Sequence, residues 1–140
     1  MSDKLRSLAV IALGITLLGC KSTEPTEIRA KDVKGFMDFE ALMLILDVRE
    51  PNEYCSETGH LPGARNYPWL SGVLQQRFRE LPPQAPIIVV CRSGRRSRQA
   101  TTFLRERGYS RALIMAGGMN DWEWETEACP DSNDTAENAS

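Results

Sequence analysis

Residues 87–96 read Ile87-Ile88-Val89-Val90-Cys91-Arg92-Ser93-Gly94-Arg95-Arg96, and their reading decides the fold. The first four are apolar without a break and all are β-branched, the composition of a strand buried on both faces. After the loop, Ala100, Phe103 and Leu104 recur at helical spacing. A buried strand running into a tight loop and then a helix is the unit of a parallel α/β sheet. It places Cys91 at the carboxyl end of the strand, where such sheets keep their ligand crevices. There the amides of the loop and the helix N-terminus would point at the sulfur and favour negative charge on it. Nearby arginines act in the same direction, and the thiolate is the nucleophilic form of cysteine. The stretch predicts an enzyme whose cysteine attacks an anionic substrate.

Outward from this stretch the alternation continues. Val33, Phe36 and Met37 predict a short first helix, and the run from Leu42 to Val48, broken only by Asp47, a central strand. Pro62-Gly63 marks a turn before an extended piece at Asn66-Tyr67. Leu70, Val73, Leu74, Phe78 and Leu81 predict a helix stopped by Pro82-Pro83. The strand over 86–91 precedes a helix from Arg96 to Arg107, with Gly108 as its C′ glycine. Ala112 to Met115 is a last strand, and Gly117-Gly118 leads into a helix carrying Trp122. No internal repeat interrupts the pattern.

At the start of the chain, Lys4 and Arg6 precede an apolar run from Leu8 to Leu18, short for a membrane span and suited to a signal-peptide core. The run ends Leu17-Leu18-Gly19-Cys20, which resembles the bacterial lipobox. That resemblance implies cleavage before Cys20, lipidation of Cys20, and a lipoprotein of the cell envelope facing the periplasm. Lys21 after the cysteine, rather than Asp, is similar to the pattern of lipoproteins sent to the outer membrane. The predicted organisation is a signal peptide at 1–19, a tether at 20–26, one domain at 27–128 and a disordered acidic tail at 129–140.

The whole chain has a formal net charge of −2, which argues against nucleic-acid binding. Its distribution is uneven. Residues 92–111 hold seven arginines and one acid, Glu106, whereas 121–140 hold seven acids and no base. Arg105, Arg107 and Arg111 suit a solvated helix face; Arg92, Arg95 and Arg96 share the loop with the thiol.

Four motifs in order carry a family resemblance. Leu46-Asp47-Val48-Arg49-Glu50-Pro51 with Glu53-Tyr54, and Gly59-His60-Leu61-Pro62-Gly63-Ala64-Arg65-Asn66-Tyr67-Pro68, resemble the first two signatures of the rhodanese family. Cys91 to Ser97 is similar to the active-site loop of its single-domain members, and Gly117-Gly118 with Trp122 to its closing motif. The segment Cys55-Ser56-Glu57-Thr58 makes one loop longer than the family pattern, at the rim of the pocket. The resemblance implies an α/β, three-layer domain with a central parallel sheet flanked by helices, and a thiosulfate sulfurtransferase that works as a monomer. Cys91 would take sulfane sulfur from thiosulfate, or from a polysulfide or persulfide, as a cysteine persulfide. Cyanide or a thiol would then remove it in a second step. Amides from Arg92 through Ser93 and Gly94 to Arg96 would hold the charge. Arg92 and Arg95 are candidates for the sulfonate, and Arg96 for bracing the loop. No metal or organic cofactor is required.

Two other readings stay open at this point. One is a phosphatase or arsenate reductase, whose loops resemble His-Cys-x5-Arg; here Val90 precedes the cysteine and Ser97 occupies the arginine slot. The other is a sulfur carrier or docking module. His60, the single histidine, is expected to bond the backbone rather than hold a metal. Asp47 and Arg49 are expected to form a polar brace, and Trp69, Trp122 and Trp124 to pack or shield. Cys55 and Cys129 admit three readings: a disulfide with each other, a resolving role for Cys55, or two unrelated thiols.

Overall fold

The computed structural model describes residues 25–39 and 42–130. The predicted signal peptide, Cys20 and residues 131–140 of the tail lie outside them. Strands β1 (Glu27–Ile28), β2 (Leu44–Asp47), β3 (Arg65–Asn66), β4 (Ile87–Val90) and β5 (Ala112–Met115) form one parallel sheet in the order β1-β5-β4-β2-β3. Helices α1 (Ala30–Asp38), α2 (Pro51–Tyr54), α3 (Val73–Arg77) and α4 (Arg95–Arg105) connect the strands.

Strand β4 lies at the centre, with β2 and β5 as neighbours, and all four of its residues are buried. Its side chains alternate between two cores. Ile87, Val89 and Cys91 face Leu74, Ala100 and Leu104 of α3 and α4. Ile88 and Val90 face Ala30 and Val33 of α1, together with Leu61 and Trp122. This is the three-layer α/β architecture expected from the sequence. Each fully buried large aliphatic side chain contributes about 1.5–3 kcal/mol.

Several elements differ from their sequence expectation, each for a local reason. The strand expected from Leu42 begins at Leu44, where pairing with Ile87 starts, and Leu42 is exposed. The helix expected over 70–81 is cut short because Gly72 sits left-handed before it. It becomes α3 followed by a 3₁₀ turn over Phe78–Glu80, and Leu70 is exposed. The helix expected to carry Trp122 is a 3₁₀ turn over Gly118–Asp121, with Trp122 extended after it. Helix α4 runs from Arg95 to Arg105 rather than Arg96 to Arg107. The chain leaves it as predicted through Gly108, whose N–H donates to Arg105 O while Tyr109 N–H donates to Leu104 O.

Helix α2 was not foreseen. Pro51 occupies its first turn, and Glu50 and Glu53 cap each other's backbone N–H groups reciprocally. Cys55 and Cys129 form a disulfide across 74 residues of sequence. This overturns both the unrelated-thiol reading and the resolving role for Cys55, and it ties down the first residue of a tail expected to be disordered. The link lies beside a bridge in which His60 and Glu127 exchange backbone hydrogen bonds of 2.9 and 2.8 Å.

Candidate active site

Cys91 follows β4 directly and is 1 % exposed. The loop behind it closes quickly because Gly94 adopts φ +93°, a left-handed conformation that glycine takes without steric cost. Gly94 is also the residue from which α4 starts. Its amide donates to Cys91 Sγ at 3.1 Å, and the amide of Ser97, in the first turn of α4, donates at 3.4 Å. The charge-holding amides were expected between Arg92 and Arg96. Of that set Gly94 alone donates to the sulfur, and the second donor is Ser97.

The far side of the loop is clamped by the turn after β5. Met119 N–H donates to Cys91 O at 2.8 Å, and Asn120 N–H to Arg92 O at 3.0 Å. Gly118 lets these backbones approach, since a Cβ there would collide with Cys91 O and Arg92 O. The closing motif thus holds the Cys91 loop from behind.

The three loop arginines have separate placements. Arg96 grips Glu53 with two hydrogen bonds, 2.5 and 2.7 Å, so it braces the loop as expected. Hydrogen bonding to Arg96 holds the Glu53 carboxyl below the usual glutamate range, and the same contact raises Arg96. Arg92 and Arg95 are exposed and make no ion pair among the described residues. Ser93 is exposed as well. The distal arginines are engaged elsewhere: Arg105 donates to Ala112 O and Arg111 to Gln84 O.

Below α2, Arg49 is 3 % exposed and pairs with the equally buried Asp47 at 2.7 Å. Its guanidinium also donates to Glu53 O and to Gly59 O. The expected polar brace is present, and its length is greater than the sequence indicated. It runs from β2 through Arg49 to α2, and from Glu53 of α2 to Arg96 of the catalytic loop. His60 bonds the backbone as anticipated, with Nδ1 3.2 Å from Tyr54 O and its ring stacked on Tyr54. Glu53 and Ser97 are the two site residues that sequence reasoning missed. Glu53 had a signal, the Glu50/Glu53 spacing of a capping box with Pro51 inside it.

Beside the loop lies a cleft of about 710 Å³. It reaches Arg92 but is not lined by Cys91, which sits behind it in the loop. One wall is the segment Asn52–Thr58, and the other runs from Met119 to Thr126.

A rhodanese-like domain model matches residues 29–125. The chain belongs to the rhodanese-like family. The putative sulfur carrier protein YrkF of Bacillus subtilis is 36 % identical over 101 residues, covering 72 % of this chain and 52 % of YrkF. The chain therefore spans about half the length of that relative. Thiosulfate sulfurtransferase GlpE of Pseudoalteromonas translucida is 33 % identical over 84 residues, 58 % of this chain and 73 % of GlpE. A rhodanese-related protein of Thermoplasma volcanium superposes with a TM-score of 0.61 at 29 % identity, covering 69 % of this chain and 89 % of that one.

The Glu53–Arg96 pair makes stability depend on pH with a defined sign. Because the folded carboxyl titrates below its unfolded value, the pair's contribution is complete above the ordinary glutamate range. It is lost as pH falls through the lower, folded value. Glu53→Gln should therefore be less stable than the native protein at pH 7, by about 1 kcal/mol for a half-exposed pair. The gap should close on acidification, which urea titrations at pH 7 and pH 3 would measure. A gap independent of pH would refute the assignment.

Proposed function

We propose that this protein is a sulfurtransferase that moves sulfane sulfur through a persulfide on Cys91, with thiosulfate as a donor. The observation that carries the reading is the pair of amides, from Gly94 and Ser97, aimed at a buried cysteine sulfur at the end of a parallel strand. In the first step Cys91 sulfur attacks the outer sulfur of thiosulfate. The S–S bond of thiosulfate breaks, its electron pair leaves with sulfite, and an anionic persulfide remains on the enzyme. Helix N-terminal amides stabilise charge of that kind. Arg92 and Arg95, unpaired and next to the cysteine, are the groups to receive the sulfonate. In the second step cyanide or a thiol takes the outer sulfur and the electron pair returns to Cys91. The GlpE relative, a thiosulfate sulfurtransferase by name, supports the donor; the YrkF relative supports persulfide transfer in general.

The phosphatase and arsenate readings lose their main support. Those loops need an arginine free to grip the oxyanion six residues after the cysteine. Ser97 fills that position, and neighbouring Arg96 is committed to Glu53. A purely docking role leaves the amides at Sγ without a purpose.

We also propose that the domain is held at the envelope through lipid on Cys20, facing an oxidising compartment. The Cys55–Cys129 disulfide supports that placement, since such links persist where thiols are not kept reduced. Cys20→Ala should shift the protein from the membrane to the soluble fraction; retention on the membrane would refute the anchor.

Steady-state thiocyanate formation tests the chemistry. Double-reciprocal plots against thiosulfate at several cyanide concentrations should be parallel, as a covalent two-step mechanism requires. Cys91→Ala should lose more than about a thousandfold in turnover. Turnover that survives in Cys91→Ala, or activity on aryl phosphate or arsenate in place of thiosulfate, would overturn the proposal.

A further inference from the structure

The cleft beside the catalytic loop carries two acids, Glu57 and Glu123, that the transfer of sulfur from thiosulfate does not use. Three of its charged side chains, Arg92, Glu57 and Glu123, make no ion pair or side-chain hydrogen bond among the described residues. The others are spent: Arg49 on Asp47, and Glu53 on Arg96. The unpaired cation therefore sits next to Cys91, and two unpaired acids stand on the opposing walls. Trp122 and Trp124, packed edge to face at 5.0 Å, contribute apolar surface. A cavity of about 710 Å³ is the size of small-molecule sites.

The two walls come from distant parts of the sequence. One includes Ser56, Glu57 and Thr58 of the lengthened loop, and the other is the strap from Glu123 to Thr126. The Cys55–Cys129 disulfide and the His60–Glu127 bridge fasten the two to each other.

Resting on the sulfurtransferase reading, we propose that this cleft is the acceptor site and that its ligand is a zwitterionic aminothiol of the cysteine class. The acceptor's carboxylate takes Arg92 and its ammonium takes Glu57 and Glu123, which leaves the thiol facing the catalytic loop. A two-step mechanism allows Arg92 this second use, because sulfite has left before the acceptor arrives. The acceptor sulfur then bonds to the outer persulfide sulfur and the bond to Cys91 Sγ breaks. The acceptor departs as its own persulfide anion, and its thiol proton ends on Cys91. Oxidation states balance without any further reagent.

The test loads the full chain with thiosulfate and follows discharge by intact mass, which also reports whether the disulfide survives. L-Cysteine, cysteamine, 3-mercaptopropionate and 2-mercaptoethanol are the probes, with each rate expressed relative to 2-mercaptoethanol in the same protein. In Glu57→Gln/Glu123→Gln the relative rates for L-cysteine and cysteamine should fall about fivefold, the scale of two exposed charge contacts. The relative rate for 3-mercaptopropionate should not fall. Equal losses for all four thiols, or unchanged ratios in a protein that loads normally, would overturn the acceptor site and leave the sulfurtransferase reading intact. A native protein that does not load would overturn both.

Discussion

The buried guanidinium of Arg49 is the contact on which the site depends. Placing a cation in the interior is costly unless it is hydrogen-bonded and a counter-charge is present. Here Asp47, at the end of β2, supplies the charge, and the carbonyls of Glu53 and Gly59 each accept a further hydrogen bond. The arrangement fixes where the chain goes after β2. It positions α2, and α2 presents Glu53 to Arg96. The first signature motif and the Cys91 loop, more than 40 residues apart in sequence, are joined by the Glu53–Arg96 ion pair, with the Asp47–Arg49 pair seated against the Glu53 carbonyl.

Around that brace each part of the loop has a separate support. Strand β4 delivers Cys91 to the carboxyl end of the sheet, the turn at Gly118–Asp121 holds the loop's carbonyls, and α4 contributes an amide from its first turn. The sulfur is thereby held, buried, against the amides of Gly94 and Ser97. The loop at Ser56–Thr58 and the disulfide-bound strap at Glu123–Thr126 lie outside this frame and form the walls of the cleft.

The sheet and the position of Cys91 were legible in the sequence for a common reason. A parallel strand buried on both faces must be apolar throughout, so Ile87–Val90 could hardly be read otherwise, and the residue after it sits where such sheets do chemistry. Strand ends were less legible, because Leu42 is as apolar as Leu44 and only pairing with β4 separates them. Strand β1 has two residues and α2 has four, too few for any periodicity. The Cys55–Cys129 link depended on a distance, and the cleft on two segments more than 60 residues apart meeting in space. Neither property is written in local sequence. The brace was recognised as a pair, Asp47 with Arg49, but its continuation to Arg96 required knowing that α2 lies against the catalytic loop.

The most direct test of the account is peptide mapping of the protein after brief exposure to thiosulfate, under conditions that preserve persulfides. The account predicts one added sulfur atom, located on the peptide containing Cys91, with Cys55 and Cys129 still joined. A folded protein whose Cys91 stays an unmodified thiol, or whose added sulfur lies on Cys55 or Cys129, would contradict it.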